Sequence, residues 1–154
     1  MIFEDVPSFA DALPDYGAIA GLDLGTKTIG VAVSDHMRSI ATPLQTIKRQ
    51  KFTQDADHLL SICEVRQLCG LILGLPRNMD GSEGPRAQST RAFARNLAQK
   101  MDLPISFWDE RLSTVAAEKA LLEADTTRKR RSEVIDHVAA SYILQGALDR
   151  LRHL

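Results

Sequence analysis

Three acidic positions stand where carboxylates are either disfavoured or costly. Asp23 sits inside the apolar run GLDLG at 21–25. If that run is a strand, alternation sets Asp23 on one face with Gly21 and Gly25, and Leu22 and Leu24 on the other. Aspartate is depleted in strands, and the flanking glycines leave room for something to approach. The plain alternative is an Asp that caps the following turn through local hydrogen bonds. The second position is Asp109-Glu110, directly after the apolar stretch 105–108. One of this pair must face the same side of the sheet as Asp23. Taken alone, the pair reads as solvated carboxylates leading into a helix, where they suit the helix dipole. The third is Asp136, which shares a helical stripe with Ala140, Ile143 and Ala147. A lone carboxylate on a buried stripe costs several kcal/mol unless it is paired or bound to a metal. A buried salt bridge to an arginine is the alternative there.

Carboxylates that converge repel one another, and a divalent cation resolves the repulsion. Oxygen ligands without His or Cys indicate Mg²⁺ or Mn²⁺. Two such ions about 4 Å apart activate a water and stabilise the leaving oxygen of a phosphodiester. The histidines do not compete: His36, His58 and His153 stand alone, while His137 adjoins Asp136. His137 and Asp109 are therefore given supporting roles behind the ligands. Arg128, Lys129, Arg130 and Arg131 form a basic run that reads either as a solvated face or as a contact for phosphates.

The elements that must position these groups follow from punctuation and period. Residues 18–24 and 28–34 flank Gly25-Thr26-Lys27 and read as a β-hairpin. A third strand is expected over 40–47, with Pro43 making it an edge or a bulge. Helical spacing runs through Phe52, Ala56, Leu59, Leu60 and Cys63, giving a helix over 52–68. The short apolar run 70–74 suits a buried strand, 75–85 a polar loop, 86–101 a helix and 105–108 another buried strand. Ser113 offers an N-cap for a helix over 115–123, and 133–151 form a long, largely buried helix. The expected fold is α/β, with a mixed five-stranded sheet: a three-strand antiparallel meander, then two parallel strands reached through helical crossovers.

Composition restricts the class. The chain has 154 residues, 44% apolar and 25% charged, as expected for one globular domain. No apolar stretch approaches the length of a membrane span, and the acidic N-terminus does not read as a secretory signal. Cys63 and Cys69 form no C-x-x-C pair, which suggests neither a disulfide framework nor zinc. A cytoplasmic setting is expected. The net charge of −1 hides an asymmetry: residues 1–17 carry Glu4, Asp5, Asp11 and Asp15 without Lys or Arg, leaving 19 basic and 16 acidic residues in the remainder. With Pro7, Pro14 and Gly17, residues 1–17 read as a weakly ordered acidic extension with one helical turn near 8–13, and 18–154 as the domain proper. The aromatic fraction of 5% speaks against sequence-specific single-strand recognition by stacking.

Four motifs taken together, GLDLGTKTIGVAVSD (21–35), GLPRNMDGSEG (74–84), DERLST (109–114) and RKRRSEVIDHVAASYILQGALD (128–149), resemble in order and spacing the YqgF/RuvX family. The resemblance covers 18 to about 151. It implies a ribonuclease H-like fold with helices on both faces of the sheet, similar to RuvC-type Holliday junction resolvases. It implies a nuclease that processes the 5′ end of the 16S ribosomal RNA precursor, with cleavage of branched DNA as the alternative. The family's three catalytic acids correspond to Asp23, Glu110 and Asp136, the same positions reached from the residues, as ligands of Mg²⁺ or Mn²⁺. Lys27, Asn78, Ser82, Arg111 and the basic run at 128–131 are expected to contact the substrate, and Thr28 stands where family members often carry Arg. The expected partners are structured RNA or branched DNA and no membrane, with the chain a monomer or weak homodimer. Two rivals remain. The first motif also looks like the phosphate hairpin of actin-like and Hsp70-like ATPases, but those clamp a nucleotide between two such domains. A non-catalytic nucleic-acid module would have no need for three such acids.

Overall fold

The computed structural model of the chain describes residues 1–112 and 128–154, with side chains outside 128–136. Central apolar runs form the middle of one six-stranded sheet. β1 is Ile2–Phe3, β2 Ala20–Leu24, β3 Thr28–Ser34, β4 Ala41–Lys48, β5 Leu71–Leu75 and β6 Ile105–Asp109. Their spatial order is β1-β6-β5-β2-β3-β4. β2, β3 and β4 form the antiparallel meander, while β5 runs parallel to β2 and β6 parallel to β5. Every residue of β2 and β5 is buried, which is why these strands read as continuous apolar runs rather than alternating ones. Pro43 has the place its chemistry allows. β4 is an edge strand, and the register slips between Val31 and Ala32, which pair with Gln45 and Pro43.

Among the described residues four helices cover the two faces: α1 Val6–Ala12, α2 Phe52–Arg66, α3 Pro85–Ala98 and α4 Arg128–Arg152. On one face Leu22, Leu24, Leu71, Leu73 and Leu75 pack with Leu59, Phe93 and Leu97 of α2 and α3. On the other, Ile19, Ala32, Ile72 and Trp108 meet Phe9 of α1 and Ala139, Ala140, Ile143 and Ala147 of α4. The expected helix over 115–123 and its Ser113 cap lie outside the described residues. Among those residues no helix is long and apolar enough to cross a membrane.

The sheet has six strands rather than five, and the difference lies in the acidic extension. Ile2 and Phe3 pair with Ile105 and Ser106 as a parallel edge strand, and Ser106 Oγ donates to Phe3 O at 2.8 Å. Asp5 then caps α1, accepting from Ser8 N at 2.8 Å, with Pro7 in the first turn. Val6 and Phe9 are buried, Phe9 completely. Arg38 fastens the exit from the extension, donating through Nε to Gly17 O (2.8 Å) and through Nη2 to Pro14 O (2.7 Å). A two-residue strand and a seven-residue helix are too short to show a period. Their order comes from tertiary contacts that no local pattern encodes.

Candidate active site at the carboxyl end of the sheet

Asp23 is the fourth residue of β2 and is only 6% exposed. The face it shares with Gly21 is the one α4 covers. A Cβ on Gly21 would lie 2.7 Å from Leu144 Cβ and 3.0 Å from Ala140 O, so the missing side chain lets the helix rest on the strand. β5 lies between β2 and β6. The β2–β5 register pairs Leu22 with Leu73, and one residue further sets Asp23 beside Gly74. From the other side, Glu110 follows β6 as the first residue of a 3₁₀ turn, Glu110–Leu112. Its Oε1 would stand 2.8 Å from a Cβ on Gly74, and Ile143 Cδ1 of α4 would stand 2.5 Å from the same atom. Asp23, Gly74 and Glu110 therefore share the α4 face at the carboxyl end of the sheet, where open α/β sheets bind ligands.

Asp136 lies on α4, one turn before Ala140 on the stripe that continues through Ile143 and Ala147. All three of those residues are fully buried. The Asp136 side chain is outside the described residues, as are those of Arg128, Lys129, Arg130 and Arg131, whose backbone forms the first turn of α4. His137 is half-buried, and its Nδ1 hydrogen-bonds Thr46 Oγ1 at 2.8 Å, tying α4 to β4. Among the described residues no three His, Cys, Asp or Glu gather closely enough to hold a metal.

Asp109 has a different task from its neighbour. It faces the α3 side with Ile105 and Phe107 and holds Arg111, accepting from Nη2 at 2.7 Å, from Nε at 3.1 Å and from the Arg111 backbone N–H at 3.0 Å. The Arg111 guanidinium keeps the Asp109 carboxyl below its ordinary range, against a smaller opposing effect of burial. Arg111 Nη1 in turn reaches Met79 O at 3.4 Å, joining the turn after β6 to the loop after β5. That loop is closed on itself. Asn78 N donates to Ser82 O (2.9 Å), Asn78 Nδ2 to Ser82 Oγ (2.9 Å), and Ser82 N and Oγ to Asp80 Oδ1 (2.9 and 2.6 Å). The Ser82 hydroxyl and amide hold the Asp80 carboxyl below its ordinary value. Lys27 is exposed at the tip of the β2–β3 hairpin, and its carbonyl accepts from Arg49 N at 2.9 Å.

Several charged groups here carry no signal in the sequence. Arg49 Nη1 donates to Gly25 O at 2.7 Å and Arg86 Nη2 to Leu24 O at 3.0 Å, bringing two cations to the end of β2 beside Asp23. Arg91 of α3 donates to both carboxylate oxygens of Glu83 (2.5 and 2.9 Å) and both of Glu4 (2.8 and 3.0 Å), and lies over the Phe107 ring. Arg77 stands near Glu83 and Asp109, at 3.4 and 3.6 Å. These partners are scattered along the chain, so no spacing announces them. Arg77, immediately after Leu75-Pro76 at a strand end, is the one that position alone would have flagged.

A family model described as "RuvX: Holliday junction resolvase" matches residues 17–150. A relative in Ruegeria pomeroyi, named "Putative pre-16S rRNA nuclease", is 75% identical over 154 residues, the whole of both chains. One in Paracoccus denitrificans with the same name is 74% identical, covering 100% of this chain and 98% of its own. Among solved structures, Thermus thermophilus RuvC bound to a Holliday junction substrate superposes with a TM-score of 0.54 at 12% identity, over 88% of this chain and 96% of that one. Another structure of the same protein gives 0.53 over the same shares. At that identity the likeness speaks for the fold, a mixed sheet of the RuvC, ribonuclease H-like kind with helices on both faces. By the match over 17–150 and by its relatives, the chain belongs to the RuvX family.

Proposed function

We propose that this protein is a metal-dependent endonuclease that processes the 5′ end of the 16S ribosomal RNA precursor in the cytoplasm, with Asp23, Glu110 and Asp136 as its catalytic acids. The observation that carries the reading is the meeting at Gly74. A buried Asp from β2 and the carboxylate of Glu110 from the end of β6 face α4 across the one position of β5, Gly74, that has no side chain. The name shared by the relatives supports ribosomal RNA as the substrate.

The donor set suits a hard divalent cation. Its ligands are carboxylate oxygens on three separate elements, and the missing side chain at Gly74 lets the Glu110 carboxylate come close to the strand beside Asp23. Asp23, Glu110 and Asp136 would hold Mg²⁺ or Mn²⁺, which when bound polarises the scissile phosphate and acidifies the attacking water. The remaining work belongs to the chain. Close packing of α4 on Gly21 fixes the height of the helix that carries Asp136 over the sheet. Asp109, by gripping Arg111, fixes the turn that aims Glu110 and anchors the 78–82 loop beside it. Lys27 and the basic first turn of α4 neutralise backbone phosphates on either side of the cut, with Asn78 and Ser82 presenting a polar loop to the strand.

The description of the family and the RuvC fold favour a second reading, resolution of four-way DNA junctions, which would use the same acids. One experiment addresses both. A 5′-extended 16S precursor and a four-way junction are incubated with wild type and with Glu110→Gln, in Mg²⁺ or Mn²⁺ and then in EDTA. The expected result is metal-dependent cutting of the RNA that the substitution lowers by about 10²–10³-fold. Cutting of the junction alone would replace the first reading with the second. Tight binding without cutting of either would leave a nucleic-acid module.

A further inference from the structure

The N-terminal segment leaves a cavity that the site described above does not use. β1 pairs only with Ile105 and Ser106. The chain then turns into α1, so the edge of β6 at Phe107–Asp109 opens into a space of about 320 Å³ between the two. That volume is at the small end of ligand pockets, which combine apolar walls with a few polar groups. Here the walls are Leu75, Phe107, Trp108 and Leu112 on the sheet side and Val6 and Pro7 on the other.

The charges around this space are not equally engaged. Its acids are satisfied: Glu4 is held by Arg91, Asp5 accepts from Ser8 N, and Asp109 holds Arg111. Arg91 is likewise committed to Glu83 and Glu4. Arg77 is not. Its contacts with Glu83 and Asp109, at 3.4 and 3.6 Å, exceed the length of a good charge-assisted hydrogen bond, and its buried Nε has no hydrogen-bond partner. Arg150, exposed at the rim, makes no ion pair among the described residues. Two guanidinium groups with donors to offer thus border an apolar slot beside Asp109, the neighbour of Glu110. Arginine donors of this kind match phosphate oxygens.

We propose that this cavity is a subsite for one unpaired nucleotide of the strand being cut, its base in the slot between α1 and β6 and its phosphate on Arg77 and Arg150. The assignment rests on the nuclease reading for its strand and deepens it. The slot admits a single base and no duplex, so the site selects substrates with an unpaired nucleotide in the bound strand. Selection is by shape and charge, in keeping with the low aromatic content. One wall is built from the extension, which precedes the residues matched by the family model. The subsite is therefore a feature added to the family core.

The test reads binding rather than cutting. Glu110→Gln is mixed with RNA duplexes carrying 5-iodouridine either in a one-nucleotide gap or at a paired position, irradiated, and the cross-linked peptides mapped. Cross-links from the gap nucleotide to 4–7, 107–112 or 150 are expected, and cross-links confined to other surfaces would overturn the assignment. Arg150→Glu and Leu112→Trp, both at the exposed rim, should each raise the dissociation constant for the gapped duplex about tenfold and leave the paired duplex within twofold. Equal weakening of both duplexes, or of neither, would overturn it as well. In a parallel arm, 5′-AMP that occupies the slot while the strand gives no cross-link would assign the cavity to a free nucleotide and refute the strand subsite. Cross-linking in the slot, with wild type cutting neither the precursor nor the junction, would sink the nuclease reading and leave a site for an unpaired nucleotide standing; wild-type cutting without that cross-link would do the reverse.

Discussion

A methyl group at position 74 would meet Ile143 Cδ1 at 2.5 Å and Glu110 Oε1 at 2.8 Å, distances that neighbours in a packed interior cannot absorb without moving. Gly74→Ala should therefore push α4 and the Glu110 carboxylate off the strand together. Overpacking of this kind costs about 1–3 kcal/mol, and urea denaturation would read it. Cleavage at saturating metal should fall by more than stability explains, about tenfold or more, because precise placement of reacting groups carries much of a rate. A variant that loses stability and keeps full activity would separate Gly74 from the chemistry. The same residue shows what was legible locally. In the sequence Gly74 is strand punctuation, and Asp23 and Glu110 are acids at strand ends. That Gly74 is the point where they meet depends on β5 lying between β2 and β6, an order no local pattern carries.

Charge as well as packing holds the helices and loops around the end of β6. Arg91 of α3 reaches Glu83 in the loop and Glu4 before α1, and Arg111 grips Asp109 at the end of β6. Arg91 lowers the Glu83 carboxyl below its ordinary range, and Arg111 does the same for Asp109. Groups whose folded pKa is depressed stabilise the fold fully above their unfolded values and lose that contribution as pH falls through the folded ones. The melting temperature of Arg91→Ala should thus lie below that of wild type at pH 7, and the gap should narrow below about pH 4, where carboxylates protonate. A gap that stays constant through acid would assign the effect to lost packing of Arg91 on Phe107. Element by element, the apolar strands were legible because β2, β5 and β6 are buried runs bounded by glycines and polar loops. The long final helix begins earlier than its apolar stripe, at Arg128 rather than 133, because its first turn is basic and contributes no period. The ionic chain was not legible, since Arg91 and Glu4 are 87 residues apart.

At the scale of the whole molecule, the extension is structural, while the basic turn of α4 is the proposed contact for phosphates. Phe9 is fully buried against α4 and the sheet. Phe9→Ala should cost about 3–5 kcal/mol, measured by denaturant unfolding, whereas a dangling extension would give almost nothing. Alanine at all four of Arg128, Lys129, Arg130 and Arg131 should weaken nucleic-acid binding similarly across sequences and flatten its salt dependence by roughly three to four contacts. An unchanged slope would return the cluster to an ordinary solvated face. The α/β class, the antiparallel meander with Pro43 at its edge, and the acids at strand ends are all legible in the residues, because burial and chain reversal leave periodic and compositional marks. It takes the packed fold to show that residues 2–12 complete the sheet and core, that Asp109 and Glu110 part to opposite faces, and that Arg77 is left loosely paired beside a cavity. Those outcomes depend on partners distant along the chain, whose meeting is fixed by strand order and packing rather than by any local preference.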